Sequence, residues 1–228
     1  MPFIDQTWLL DIIALFWLLF FWIGYVAYTK RMNLSKNKGL LAAMNRTRKQ
    51  WLQSLLKRDN RMVDVQIING LIRRETFFAS TTILMLAGVV ALLGLGEEIN
   101  DLFNQVPLSQ QSSLAMLELR VGVLAMTFVY AFFKFTWALR QHTSSAILLG
   151  SLPHPDQIDQ ATEQQAVRMA KLGNLAARHF NDGMRAYYFA LAELSWFFHP
   201  VALMFTTIWV IAVLYRREFY SKALSIME

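Results

Sequence analysis

The sequence contains no cysteine among its 228 residues. Disulfide bonds, thiolate metal sites and cysteine nucleophiles are therefore excluded. It also lacks a Gly-Xaa-Ser-Xaa-Gly nucleophile turn, a phosphate-binding glycine loop and a His-Glu-Xaa-Xaa-His pair. Lys and Arg are absent from a whole segment, residues 96–119, which still carries four acidic residues. From the missing motifs we expect that the protein is not an enzyme and that it holds no cofactor.

Long hydrophobic stretches are what the sequence has instead. Four of them, residues 8–28, 77–95, 121–139 and 187–215, reach the length of roughly 20 residues that a helix needs to cross a bilayer, although charges interrupt the last. The chain is 55% hydrophobic, which is too apolar for an ordinary soluble domain. We predict one all-α integral membrane domain over residues 1–228. It has four transmembrane helices and long cytoplasmic helical extensions.

Charge is distributed unevenly between the segments that connect these stretches. Residues 29–76 hold twelve Lys and Arg against three acidic residues, residues 96–119 hold no Lys or Arg, and residues 140–186 hold five. The positive-inside rule then makes 29–76 and 140–186 cytoplasmic connectors. Both termini would lie outside, in the periplasm if this is a multi-pass protein of a bacterial inner membrane. The net charge of +6 thus reports topology, and no nucleic-acid partner is expected. Three basic residues near the end of the chain oppose this topology: Arg216, Arg217 and Lys222.

The basic connector contains an amphipathic pattern. Apolar residues recur at helical spacing between Leu41 and Leu55, with basic residues at other positions. Such a helix either lies on the inner leaflet and binds anionic lipid or packs on the protein's own cytoplasmic helices. The candidates for binding lipid headgroups are Arg46, Arg48, Lys49, Lys57 and Arg58.

Ionisable residues inside the spans are the candidates for function. Such groups are costly in hydrocarbon and normally face protein or water. From the expected depths we predict that Asp11 pairs with Arg120 near the outer surface and that Lys134 pairs with Glu193 near the inner surface. Arg120, Thr127 and Lys134 are spaced by sevens, with Tyr130 beside them, so they form a straight polar stripe that cannot face lipid.

The fourth hydrophobic stretch has polar residues on two faces. Arg185 and Glu193 lie on one face and His199 on the other, while Pro200 predicts a kink. His179 and Asp182, three residues apart, are weak candidates for a metal site because no third ligand stands at a fixed spacing.

The first expected function is a conduit for ions or small solutes, built by a homo-oligomer. The alternative is an oligomeric membrane scaffold or lipid-binding protein whose charges are structural. In the conduit, the residues that line the path or pair beside it would be Asp11, Arg120, Thr127, Tyr130, Lys134, Arg185, Glu193 and His199.

Two signatures carry a resemblance to a known family. One is the run from Arg73 to Leu84, and the other extends from Asn174 to Pro200, most clearly between His179 and Phe189. Together they resemble the bacterial and plant membrane family catalogued as a domain of unknown function, number 599 in that series. The resemblance covers nearly the whole chain. It implies four membrane helices and no established activity.

Overall fold

The fold is entirely helical over the residues that the structure, a computed structural model, describes, namely 6–35, 38–105 and 113–227. Short 3-10 turns at Pro155–Gln157 and Ser195–Phe197 separate some of the helices. The helices are α1 (Gln6–Ser35), α2 (Leu40–Leu56), α3 (Met62–Gly94), α4 (Gly96–Gln105), α5 (Leu114–Gly150), α6 (Gln160–Leu194), α7 (Pro200–Phe219) and α8 (Lys222–Met227).

Among the described residues, four helices are long and apolar enough to cross a membrane. They are α1, α3, α5 and α7, the last continuing into α8. At 1.5 Å per residue, the 37 residues of α5 extend for about 55 Å, well beyond a hydrocarbon core of about 30 Å. The first three predicted spans, 8–28, 77–95 and 121–139, fall almost entirely within α1, α3 and α5.

The fourth predicted span, 187–215, is wrong because the chain reverses direction within it. Helix α6 ends at Leu194, and α7 begins at Pro200 and runs back beside it. The hydroxyl of Thr206 is 2.8 Å from that of Ser195, and Arg217 contacts Tyr188 further along the pair. Pro200 lacks an N–H and starts the new helix, so the chain reverses its direction where a kink was expected.

Helix α6 lies inside the bundle although its sequence is polar. Its half after Phe180 packs against α5, where the ring of Phe135 is fully buried. A Cβ on Gly183 would lie 2.7 Å from that ring, so a glycine permits the close approach of the two helices. Phe189 joins α6 to a core shared by α1 and α7. Over the described residues, this half of α6 therefore runs alongside the four apolar helices and is largely shielded by them.

The two ends of the bundle are easily distinguished. At one, which we call the α4 end, Asp11 of α1 contacts Trp196 in the α6–α7 turn. At the other, the α2 end, Glu218 of α7 accepts a hydrogen bond from the backbone N–H of Leu41 at 3.3 Å. The beginning of α1 and the end of α7 thus lie at opposite ends. The prediction that both termini share one side is wrong in this fold, because α6 and α7 form two segments rather than one.

The amphipathic helix predicted in the basic connector is α2. Its apolar face is buried against α3, α5 and α6, with Leu52 and Leu55 packed on Met169. Of the two alternatives for this helix, packing on the protein's own helices is therefore confirmed. Gly39, just before α2, has φ of 97°, a left-handed conformation that a glycine adopts without steric cost.

Candidate functional site

The polar cluster at the α4 end confirms one predicted ion pair. Arg120 donates to Asp11 at 2.8 Å, and both side chains are 1% exposed. The indole of Trp196 donates to the same carboxylate oxygen at 2.6 Å, and Arg120 also reaches the carbonyl of Phe197 at 3.5 Å. The cluster joins α1, α5 and the α6–α7 turn, so it fixes these elements in one arrangement.

The second predicted pair is wrong. Lys134 lies 3.5 Å from Asp182 and 5.1 Å from the ring centre of Tyr130, whereas Glu193 accepts a hydrogen bond from Thr127 at 2.8 Å. Because α6 runs towards the α4 end, Glu193 lies two helical turns of α5 away from Lys134. The stripe on α5 faces protein at Arg120 and Thr127, which are buried, and in part at Lys134. Tyr130 is 36% exposed, so the structure does not bear out the prediction at that residue.

The remaining predicted residues have local roles. The Nδ1 atom of His199 accepts a hydrogen bond from the backbone N–H of Val201 and so caps the start of α7. His179 lies near the ring of Trp137, while Asp182 bridges Lys134 and Arg185. Within the described residues there is no group of three or more His, Asp or Glu side chains that could hold a metal ion.

Sequence reasoning missed a buried pair between α3 and α5. The carboxylate of Glu75 lies 2.7 Å from Nδ1 of His142, and the two residues are 0% and 3% exposed. The second carboxylate oxygen and the other ring nitrogen have no hydrogen-bond partner among the described residues. Glu75 stands in the Arg73 to Leu84 signature, which was the signal that could have found it.

A cavity of about 470 Å³ near the α2 end is the most distinctive site. Four arginines from four different helices line it, and we call it the arginine pocket: Arg48 of α2, Arg74 of α3, Arg185 of α6 and Arg217 of α7. Glu218 is the one carboxylate among the lining residues, and it is bonded to the start of α2. The described lining therefore carries four positive charges against one negative charge.

Arg48 is held in place by neutral groups. Its guanidinium donates to the side-chain oxygens of Asn45 and Asn174. A Cβ on Gly173 would lie 2.9 Å from Cδ of Arg48, so the glycine provides space for this side chain. Burial, followed by the charge of nearby Arg74, lowers the pKa of Arg48. Two guanidinium groups therefore repel each other across the pocket.

Aromatic rings support the other three arginines. Arg74 lies 4.0 Å from the ring centre of Phe180, and Arg217 lies 5.5 Å from that of Tyr188. Arg185 lies 5.5 Å from the ring centre of Tyr25 and also bonds to Asp182 at 3.2 Å. Such contacts orient a guanidinium and leave N–H groups at its edge for an anion, although Arg185 and Arg217 each already donate one hydrogen bond, to Asp182 and to the hydroxyl of Tyr188.

Only one of the five predicted headgroup residues lines this pocket. Arg58 instead pairs with buried Asp64 at 2.6 Å. Arg46 and Lys49 are exposed on α2, and Lys57 is exposed directly after it. Sequence reasoning found Arg48 and Arg185 for separate reasons and missed Arg74 and Arg217. The sequence feature that could have indicated these two arginines is their position at the ends of apolar stretches. Arg74 precedes the apolar part of α3, and Arg217 lies in the last turn of α7.

Comparison with protein families agrees with these features. A family model described as "Protein of unknown function, DUF599" matches residues 13–223. The chain belongs to this family. No curated protein matches the chain, and no solved structure matches it. Membership confirms the resemblance carried by the two signatures and assigns no activity, so the absence of an enzymatic function stays a prediction.

Proposed function

We propose that this family member is a bacterial inner-membrane protein that binds the phosphate of an anionic lipid headgroup in the arginine pocket. The observation that carries the proposal is the convergence of four guanidinium groups on one cavity of about 470 Å³. Four helices contribute one arginine each, so the charge is assembled by the fold and not by a local run of basic residues. Lipid binding was the alternative expected from the sequence.

The chemistry of the lining favours a phosphate. Arginine presents a planar set of donors that matches the oxygens of a phosphate or carboxylate. Arg48 and Arg74 repel each other, and an anion between them would remove that cost. Arg185 already shares the carboxylate of Asp182 with Lys134, so Arg48, Arg74 and Arg217 are the residues most available to the ligand.

The position of the pocket favours a lipid over a soluble anion. Arg74 stands three residues before Phe77, where the apolar part of α3 begins, and Arg217 ends the apolar run of α7. These are the depths of headgroups when the four apolar helices cross a bilayer. Tyr25 and Tyr188 line the same cavity, and tyrosine is enriched at this interface.

We further propose that the α2 end faces the cytoplasm. The twelve basic residues of 29–76 support this orientation, and the fold adds Arg216, Arg217 and Lys222 to the same end. The tail that opposed the positive-inside rule therefore obeys it once α7 is known to return. Anionic lipid on the cytoplasmic leaflet would then be directly available to the pocket.

The test is lipid binding by a variant that neutralises two pocket arginines. Purified protein carrying Arg48→Gln and Arg74→Gln would be compared with wild type for retention of phosphatidylglycerol in native mass spectrometry. A hydrogen bond to a charged group contributes about 1.5–3 kcal/mol, so we expect a loss of at least about tenfold. The matched control is Lys49→Gln, since Lys49 neighbours Arg48 on α2 but faces away from the pocket.

Two outcomes would contradict the proposal. One is equal loss of lipid in the pocket variant and the Lys49→Gln control. The other is retention of phosphatidylcholine as strong as that of phosphatidylglycerol. Displacement of bound lipid by millimolar inorganic phosphate would indicate that the pocket serves a soluble anion instead.

The conduit and the homo-oligomer stay predictions from the sequence. Of the charged residues expected beside the path, Asp11 and Arg120 pair with each other, and Lys134 and Arg185 share Asp182. These contacts occur within one chain and support structural roles for the four residues.

A further inference from the structure

A long apolar groove separates α1 from α5 on the side of the bundle. Its volume is about 960 Å³, and its walls run from Leu15 to Lys30 on α1 and from Glu118 to Tyr130 on α5. Sixteen residues of α1 span about 24 Å at the helical rise, enough to hold a long alkyl chain lengthwise. Ile23 and Met126 on the walls are 67% and 66% exposed, so the groove opens sideways towards lipid.

The floor of the groove carries one carboxylate. Glu193 reaches it from α6 and is 1% exposed. One carboxylate oxygen accepts a hydrogen bond from Thr127 at 2.8 Å, and the other has no partner among the described residues. A buried polar oxygen without a partner is costly in an apolar setting, and a lone buried charge is much more so.

No cation in the described part of the chain compensates Glu193. Arg120 is bonded to Asp11, and Lys134 lies beside Asp182. Lys30 lines the other end of the groove, beyond Tyr25 on α1. Tyr25 contacts Arg185, which precedes Glu193 by eight residues, or about 12 Å, along α6. Since Lys30 lies beyond Tyr25 on α1, its distance from Glu193 along the bundle axis is more than about 12 Å.

We propose that this groove binds an amphipathic amine, a molecule with one long apolar chain and a protonated amino head. The ammonium group would donate to the unpartnered oxygen of Glu193 and favour the ionised form of its carboxyl group. The chain would lie between α1 and α5 against Leu19 and Val123, with the ring of Trp22 as one wall. This site is separate from the arginine pocket, and its ligand has the opposite charge.

The glycine in the wall offers a way to block the groove without touching the carboxylate. Gly122 lines the groove, and a Cβ there would meet no atom within 4 Å. A leucine at this position would therefore extend into the space proposed for the chain. Helix propensity does not oppose the change, since leucine favours a helix more than glycine does.

The experiment measures binding of radiolabelled dodecylamine to the purified full chain in a scintillation proximity assay. Dodecyltrimethylammonium, dodecanol and laurate serve as competitors, since they differ from dodecylamine in donor capacity, charge and sign of charge. We expect dodecylamine to bind at least tenfold more weakly to Glu193→Gln and to Gly122→Leu than to wild type. Laurate should not compete. Glu98→Gln is the matched control, because Glu98 is an exposed carboxylate of α4 that does not line the groove.

The outcomes separate a head-specific site from a simple apolar groove. Unchanged dodecylamine binding to Glu193→Gln would overturn the proposal, as would equal competition by laurate. Competition by dodecanol as strong as that by unlabelled dodecylamine would show that the site recognises a hydrogen-bond donor but not a positive charge. That result would also overturn the proposal. If Glu193→Gln does not fold, full-strength binding to a folded Gly122→Leu protein overturns it. Failure of the lipid test in the arginine pocket leaves this result unaffected.

Discussion

The buried cluster at the α4 end allows a quantitative test of what holds the bundle together. Asp11→Asn keeps the volume of the side chain but removes the negative charge beside Arg120, which is 1% exposed. Removing one partner of a buried ion pair costs about 3–5 kcal/mol, because the other charge remains buried without compensation. A loss of 1.4 kcal/mol is tenfold, so the unfolding equilibrium should shift by more than about 100-fold.

Removing both charges should cost far less than removing one. The double variant Asp11→Leu with Arg120→Met replaces the pair by apolar groups of similar size, which is often neutral or stabilising. Trp196 then loses its acceptor, at a cost of about 1–3 kcal/mol for an unsatisfied donor. The free energy of unfolding of the double variant should therefore be about 1–3 kcal/mol lower than that of wild type, and clearly higher than that of either single variant.

The assay is equilibrium unfolding by sodium dodecyl sulfate in mixed micelles, followed by circular dichroism. Lys134→Met is the matched control, because its contact with Asp182 is 3.5 Å long and the two side chains are 24% and 20% exposed. Such partly exposed pairs contribute about 1 kcal/mol or less. A loss below about 1 kcal/mol for Asp11→Asn would refute the reasoning, as would a double variant whose loss equals the sum of the losses measured for Asp11→Leu alone and Arg120→Met alone.

Two further predictions concern topology and packing. Cysteines introduced at Ser54 and Ser225 should both react with an impermeant maleimide from one side of the membrane and a cysteine at Ser113 from the other. Labelling of the Ser225 position together with that of Ser113 would contradict the return of α7. Gly183→Ala should destabilise the protein by about 1–3 kcal/mol in thermal unfolding, because the new Cβ would lie 2.7 Å from the ring of Phe135. An unchanged midpoint would show that the ring moves freely.

Much of the fold could be predicted because hydropathy reports directly on lipid contact. The spans in α1, α3 and α5 follow from apolar runs that are long enough to cross a bilayer. The prediction of the fourth span failed because an averaged hydropathy does not detect a reversal of the chain between two packed helices. The signal was nevertheless present in His199 and Pro200, a capping residue followed by a proline at the first helical position.

The sites were less predictable because they depend on which residues meet. Asp11 and Arg120 could be paired from depth alone, since both stand near the same end of their helices. Lys134 and Glu193 could not, because the error in the direction of the fourth span placed Glu193 near the wrong end. The arginine pocket required four arginines far apart in sequence to converge, and no local pattern reports such a convergence.

Helix α6 explains why both proposed sites exist in so apolar a protein. Its half after Phe180 contains Asp182, Arg185 and Glu193, too many charges for a helix that faces lipid. The four apolar helices can shield such a segment, and the small residues along it let them approach closely. The shielded position in turn allows Arg185 to face the arginine pocket and Glu193 to face the groove, two turns apart on one rigid helix. The charged residues that keep α6 out of a hydropathy scan therefore also make it the helix best able to carry function.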